Sequence, residues 1–198
     1  MSAQIAIQAS EWSEYGTAAD NTAVVVTHAE GKAGTRNKIT SLGLSYDTTA
    51  SSTLELYGLS KVDIGDLTDI TICLLSTEKF SVPLHGLADD EQVVFYTFGG
   101  TAPTGLTSGT TYFVIRTDAN FIQLSATAGG SAIALSGTQA NFSTESAIIP
   151  LSKKMTVYDH VEIALSSPWV GPSRCPVILK AAAITSVQAK VDVSGYTL

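Results

Sequence analysis

Apolar positions in this chain come in short runs separated by clusters of Gly, Ser, Thr, Asn, Asp and Pro, a spacing that predicts strands throughout. Runs at 24–26, 39–46, 52–56 and 70–75 are followed by others at 92–95, 111–115 and 121–124, and the pattern resumes at 154–158, 160–165, 177–179 and 187–193. Most are rich in β-branched and aromatic residues, which pack well on a pleated surface. Two burial patterns occur. FIQLSA sets Phe121, Gln123 and Ser125 against Ile122, Leu124 and Ala126, the alternation of a half-buried strand, whereas TYFVI at 111–115 is continuously apolar. A sandwich or a small barrel uses both, so the fold class predicted is all-β.

Turn signals divide these runs into two groups. Glu30-Gly31-Lys32, the stretch 47–51 and Gly65-Asp66 punctuate an antiparallel meander, and Pro103, Gly105 and Gly129-Gly130 supply turn chemistry further on. Charge nearly vanishes in the second group: of eleven basic residues in the chain, only Arg116 lies between His85 and Ala147. That shift marks a boundary. Neither flank alone carries enough strands to close a domain, but together they are of ordinary domain size. The organisation predicted is a discontinuous host domain, residues 1–84 plus 148–198, forming an antiparallel, jelly-roll-like β-sandwich. A small β-barrel or sandwich, 85–147, is inserted at a hairpin tip, where insertions are tolerated.

The string PTGLTSGTTYFVI, followed by FIQLSATAGGSAIAL, resembles a module that recurs in tailed-bacteriophage virion proteins, including tail fibre and head-associated proteins. The likeness rests on Pro103, Gly105, Leu106, Gly109, Tyr112, Phe121, Leu124, Ser125, Thr127, Gly129 and Gly130, with HGLADDEQVVF as the opening. Ala128 stands where the module commonly has Pro, and Asp89-Asp90-Glu91 is more acidic than its usual start. The flanks also resemble a small phage protein of the head region, on the His28 context, LSYDTTASSTLELYG, Ser167-Pro168 and the terminal VSGYT. The resemblance implies a phage structural setting and no catalytic residue.

Composition sharpens this picture. Of the 198 residues 44% are hydrophobic and only 15% charged, against the roughly 25% of an average globular protein. A low-charge β protein rich in small residues covers apolar surface most readily by oligomerising. A formal net charge of -7 and the lack of clustered Lys and Arg argue against a nucleic-acid partner. The N-terminus lacks a basic segment leading into an apolar one, and no apolar run reaches spanning length. Synthesis in a host cytoplasm, no targeting signal and no membrane partner are therefore expected. Cys73 and Cys175 flank the insert, so a disulfide is conceivable, but cytosolic synthesis favours free thiols. Asn141-Phe142-Ser143 matches a glycosylation sequon that has meaning only in a secreted chain.

Catalytic and metal chemistry find little footing. His28, His85 and His160 each stand without a His or Cys nearby in sequence, which suits structural histidines. Asp63, Asp66 and Asp69 lack the alternating ligand pattern of a calcium loop. Ser76 and Lys79 have Ser-x-x-Lys spacing but follow a strand-like run, where odd spacing separates the two faces. No cofactor, metal or enzymatic activity is expected.

Aromatic and basic residues remain as candidate contacts. Trp12 and Tyr15 lie in ASEWSEYGTAAD, which reads as an extended arm able to dock on a neighbour, and Trp169 lies in a loop, 167–172, stiffened by Pro168 and Pro172. Lys32, Arg36 and Lys38 form a sparse basic patch. Candidate interface residues are thus Trp12, Tyr15, Arg36, Lys38, Trp169 and Arg174. The function expected is that of a capsid decoration or cement protein on the virion head surface, a homotrimer bound to the major capsid protein with its insert projecting outward. The alternative is a tail or head fibre subunit that binds host-surface glycan.

Overall fold

The protein is described by a computed structural model over residues 9–32, 34–67, 69, 71–138, 142 and 145–198. It is all-β, with antiparallel sheets in sandwich-like packing; among the described residues the one helical turn is a 3₁₀ turn at Leu75–Thr77. The strands in chain order are β1 (Ser10–Thr17), β2 (Val24–His28), β3 (Arg36–Tyr46), β4 (Ser51–Tyr57), β5 (Val62–Asp66), β6 (Cys73–Leu74), β7 (Lys79–Ser81), β8 (Gln92–Thr97), β9 (Thr111–Arg116), β10 (Phe121–Ser125), β11 (Glu145–Tyr158), β12 (His160–Ser173), β13 (Val177–Ala181) and β14 (Ala189–Thr197). They fall into two compact units, a host of Met1–Ser60 with Ser152–Leu198 and an inserted unit of Lys61–Leu151.

The host is a two-sheet sandwich of eight strands, β1–β4 and β11–β14. One sheet runs β1-β14-β3-β12, the other β2-β13-β4-β11. Counted along the host, those orders are first-eighth-third-sixth and second-seventh-fourth-fifth, the strand order of a jelly roll. The chain changes sheet at almost every connection, and the insertion falls between the fourth and fifth strands, which are neighbours in one sheet. Inward residues follow strand alternation: Leu42 and Leu44, Leu54 and Leu56, Val177 and Leu179, Val191 and Val193 are all buried and meet in one core. Removing such side chains from water at about 25 cal/mol per Å² is what holds the sheets together.

At one end of this core Asn37 is buried with every polar atom engaged. Its Nδ2 donates to the carbonyls of Ala29 and Cys175, both at 3.1 Å, and its Oδ1 accepts from Thr197 Oγ1 at 2.7 Å. One amide thereby ties the loop after β2 and the loop before β13 to the end of β14. Backbones also meet directly where β4 ends. A Cβ at Gly58 would overlap the carbonyl oxygen of Pro176, and one at Gly171 would overlap that of Gly58. Gly58 further has φ +113, which side-chain-bearing residues rarely adopt.

In the inserted unit the order is β11-β8-β9-β10-β7-β6, with β5 on the other side of β11. The sheet does not close into a barrel, which decides between the barrel and sandwich expectations. Its core gathers Phe80, Phe95, Val93, Val114, Ile122 and Ile148. The phage-module residues have physical jobs here. Gly105 and Gly109 sit at φ +106 and +79, Leu106 N–H closes a turn on Pro103 O at 3.0 Å, and the Tyr112 hydroxyl accepts from Thr107 N–H at 2.9 Å.

The structure moves both boundaries, the N-terminal one by far the more. On the N-terminal side the insert starts after Ser60, not after Leu84, because Ile64, Leu67, Cys73, Phe80 and Val82 belong to its core. On the C-terminal side it ends at Leu151, inside β11. Alternation in the sequence marks strands but not which core each strand serves.

Candidate functional site

Tyr15, Arg36 and Lys38 share the outer face of the β1-β14-β3-β12 sheet. On β1 the inward positions are Trp12 and Gly16, since Trp12 packs on the host core and a Cβ at Gly16 would meet Val24 and Val26. Tyr15 therefore points outward, and it is 75% exposed. Cross-strand pairing puts Tyr15 beside Asp192 and Gly43, and Ser13 beside Ser194 and Ser41. Lys38 lies beside Tyr196, its ammonium 5.5 Å from the ring centroid, and Arg36 is exposed at the start of β3.

The arm carrying Trp12 and Tyr15 does not reach for a neighbour. It is β1, fully paired with β14 from Ser10 to Thr17. Its polar inward residue, Glu14, disguised the alternation; Oε1 of Glu14 lies 3.0 Å from His28 Nδ1, which explains how a carboxylate sits on that side. Trp12 stacks flat on the His28 ring, centroids 4.0 Å apart and planes 10° from parallel.

Trp169 and Arg174 lie apart from this face's aromatics. Trp169 packs on the host core at the β12 end, with Lys153 Nζ 5.4 Å from its ring, and its segment is not a loop but a bulged continuation of an edge strand. Prolines are tolerated at such an edge, where a missing N–H breaks no ladder. Arg174 has φ +51, and its backbone N–H bonds to Thr35 O at 3.1 Å.

A shallow hollow of about 600 Å³ opens where the β14–β3 register shifts and Thr40 of β3 is the extra residue, lined by Glu11, Trp12, Ser13, Thr40, Ser194, Gly195 and Tyr196. Gly195 is what lets the Trp12 ring lie against the backbone there: a Cβ would meet the Trp12 ring and the Lys38 carbonyl. Ser194 Oγ is 3.0 Å from Ser13 Oγ, and Thr40 Oγ1 donates to Ser194 O at 3.2 Å. Hydroxyls, one carboxylate and an aromatic edge suit a neutral polyhydroxylated group better than an anion. Composition alone could not place Thr40 and Ser194 here, because only the sheet order brings β1, β14 and β3 together.

The remaining polar candidates are explained locally. His85 Nδ1 accepts from Leu87 N–H at 2.9 Å, so its proton is on Nε2 and is donated to Asp118 O at 2.9 Å. Asp89, Asp90 and Glu91 diverge, accepting respectively from the N–H groups of Arg116, Gly129 and Ala88. Asp69 Oδ1 accepts from both Thr71 N–H and Thr71 Oγ1, which holds its carboxyl below the usual range. Among the described residues no three His, Cys, Asp or Glu side chains gather as a metal site, and no helix is long and apolar enough to cross a membrane. Asn141 and Ser143 of the sequon, and Ile70 of the run at 70–75, lie outside the described residues.

Cys73 and Cys175 are both buried, Cys73 in the core of the inserted unit and not, as expected, in the host. Burial pushes the Cys73 thiol up to about 11 from 9.0. A folded-state pKa above the unfolded one leaves stability intact below about pH 9 and removes it as pH rises through 11, because the unfolded thiol releases its proton first. Urea midpoints of the inserted unit should thus fall more steeply over that window than those of Cys73→Ala, and parallel curves would refute the assignment.

Comparison with protein-family models, with curated proteins and with solved structures returns no match.

Proposed function

We propose that this chain is a structural protein of a tailed-phage virion, a head decoration or cement protein. It is made in the host cytoplasm, assembles with copies of itself and binds the major capsid protein through its host unit, stabilising the shell. No catalytic step, cofactor, nucleic acid or membrane enters this reading. The observation that carries it is the outer face of the β1-β14-β3-β12 sheet, where Ser13, Ser194, Ser41 and Ala164 follow one another across four strands, with Gly43 and Ser45 alongside. This row of small side chains is a furrow between Tyr15, Asp192 and Glu162 on one side and Tyr196 and Lys38 on the other, into which a partner's ridge fits, and an interface of standard size buries about 800 Å² on each partner. Multiplied over many capsomers, modest contacts of this kind add up to a stabilised shell. The phage-module resemblance of the inserted unit supplies the setting.

The test is binding of the purified protein to heads that lack it. Saturation should approach one copy per major capsid subunit or a simple fraction of that, and Ser13→Arg, at an exposed position, should abolish binding while leaving the melting temperature unchanged. A handful of copies per virion, or full binding by Ser13→Arg, would end the decoration reading. The hollow over Trp12 favours a second reading, a fibre subunit that binds host-surface glycan; saturable binding of cell-surface polysaccharide that competes at this hollow would support it in place of head binding.

A further inference from the structure

We propose that two copies of this chain join along the free edge of β12, antiparallel about a two-fold axis at Ile163, so that the β1-β14-β3-β12 sheet of one continues into that of the other. The proposal rests on the self-assembly part of the reading above and names its surface.

β12 is last in its sheet: one edge bonds β3, and no strand among the described residues takes the other. From His160 to Ala164 the strand is regular, paired residue for residue with Ser45 to Ser41 of β3. An edge of this kind presents a row of unpaired N–H and C=O groups and templates another strand. Proteins blunt such edges with bulges and prolines, and β12 has both, but only beyond Ala164, where the register shifts and Pro168 and Pro172 follow. The core is also unfinished here. Val191 and Val193 of β14 are fully buried, whereas Val161, Ile163 and Leu165 on the same face are only partly covered.

Register identifies the occupant as a second copy of the same strand. Antiparallel two-fold pairing keeps inward residues opposite inward residues only when the axis passes through a residue position. An axis at Glu162 would set two carboxylates directly opposite, which is unfavourable. One at Val161 would draw in Asp159, whose φ of +65 turns the chain out of the ladder. An axis at Ile163 avoids both: Glu162 faces Ala164, Val161 faces Leu165, and Ile163 meets its own copy. The half-buried apolar row then runs unbroken from one core into the next. A two-fold pair also differs from the homotrimer expected of a decoration protein.

Sedimentation equilibrium of the full chain, with Ala164→Glu and Ala164→Lys, tests this. Ala164 is exposed, so neither change disturbs the core. The wild type should dimerise; Ala164→Glu, which opposes two glutamates at each of two symmetric places, should weaken the dimer about tenfold, and Ala164→Lys, which faces Glu162, should hold or tighten it. Oxidised Ile163→Cys should give a covalent dimer and Glu162→Cys should not. A monomer at all concentrations, equal effects of the two Ala164 variants, or cross-linking through Glu162→Cys instead would overturn the pairing. A three-fold oligomer with β12 unprotected from exchange would also overturn it while leaving self-assembly and head binding standing.

Discussion

Gly58→Ala is expected to cost the host unit about 4 kcal/mol, read as a lowered urea midpoint. Two effects add. A side-chain-bearing residue held at φ +113 carries strain of about 1–3 kcal/mol, and a methyl pressed on the Pro176 carbonyl adds an overpacking cost of about 1–3 kcal/mol. The obstruction is backbone, so it cannot swing aside. Two other glycines separate the terms. Gly34→Ala has φ +88 with nothing within 4 Å and should show the strain alone, whereas Gly171→Ala, which meets the Gly58 carbonyl without a left-handed φ, should show the overlap alone. If Gly58→Ala proved no worse than Gly34→Ala, the close crossing of backbones at the end of β4 would be wrong. Against a total stability of about 5–15 kcal/mol, the expected loss leaves the host marginal.

Phe80→Ala should cost a similar amount, about 3–5 kcal/mol, but in the other unit. Phe80 is fully buried, and its ring centroid lies 6.1 Å from that of Phe95. Deleting it leaves a cavity that flanking strands can fill only in part. Hydrogen exchange gives the sharper readout. Amides of β8, β9 and β10 should lose protection, while β3 and β14, which serve a separate core, should keep theirs. Uniform loss across both sets would mean that the two cores unfold as one.

These two residues show which parts of the fold were legible beforehand. Short apolar runs bounded by turn residues announced β3, β4, β8, β9, β10 and β13, and alternation within the run was explicit only in β10. β1 was missed as a strand because Glu14 occupies an inward position, tolerable only beside His28, a partner distant in sequence. The run at 70–75 shrank to Cys73–Leu74 and a 3₁₀ turn, where Glu78 at φ +51 reverses the chain. Gly58 gave no sign of its role, since a close approach between backbones leaves no trace in either segment alone. Of the candidate contacts, Tyr15, Arg36 and Lys38 do share a face, a fact that follows from register and not from residue type. Trp169 looked like a loop residue because two prolines flank it, and an edge strand accepts what an interior strand would refuse.

The strand order of the host has a consequence for its birth. Every one of β1, β2, β3 and β4 takes its hydrogen-bonding neighbours from β11 to β14 alone, so none can pair until the far side of the inserted unit has been made. At about 5–20 residues per second, translation of Lys61–Leu151 delays that moment by roughly ten seconds. During this interval β6 to β10 of the inserted unit can pair with one another on the ribosome while Val24, Val26, Leu42 and Leu44 wait without partners. The N-terminal half of the jelly roll is thus a segment that chaperones would be expected to hold, and its folding rate is set by the arrival of its last strands.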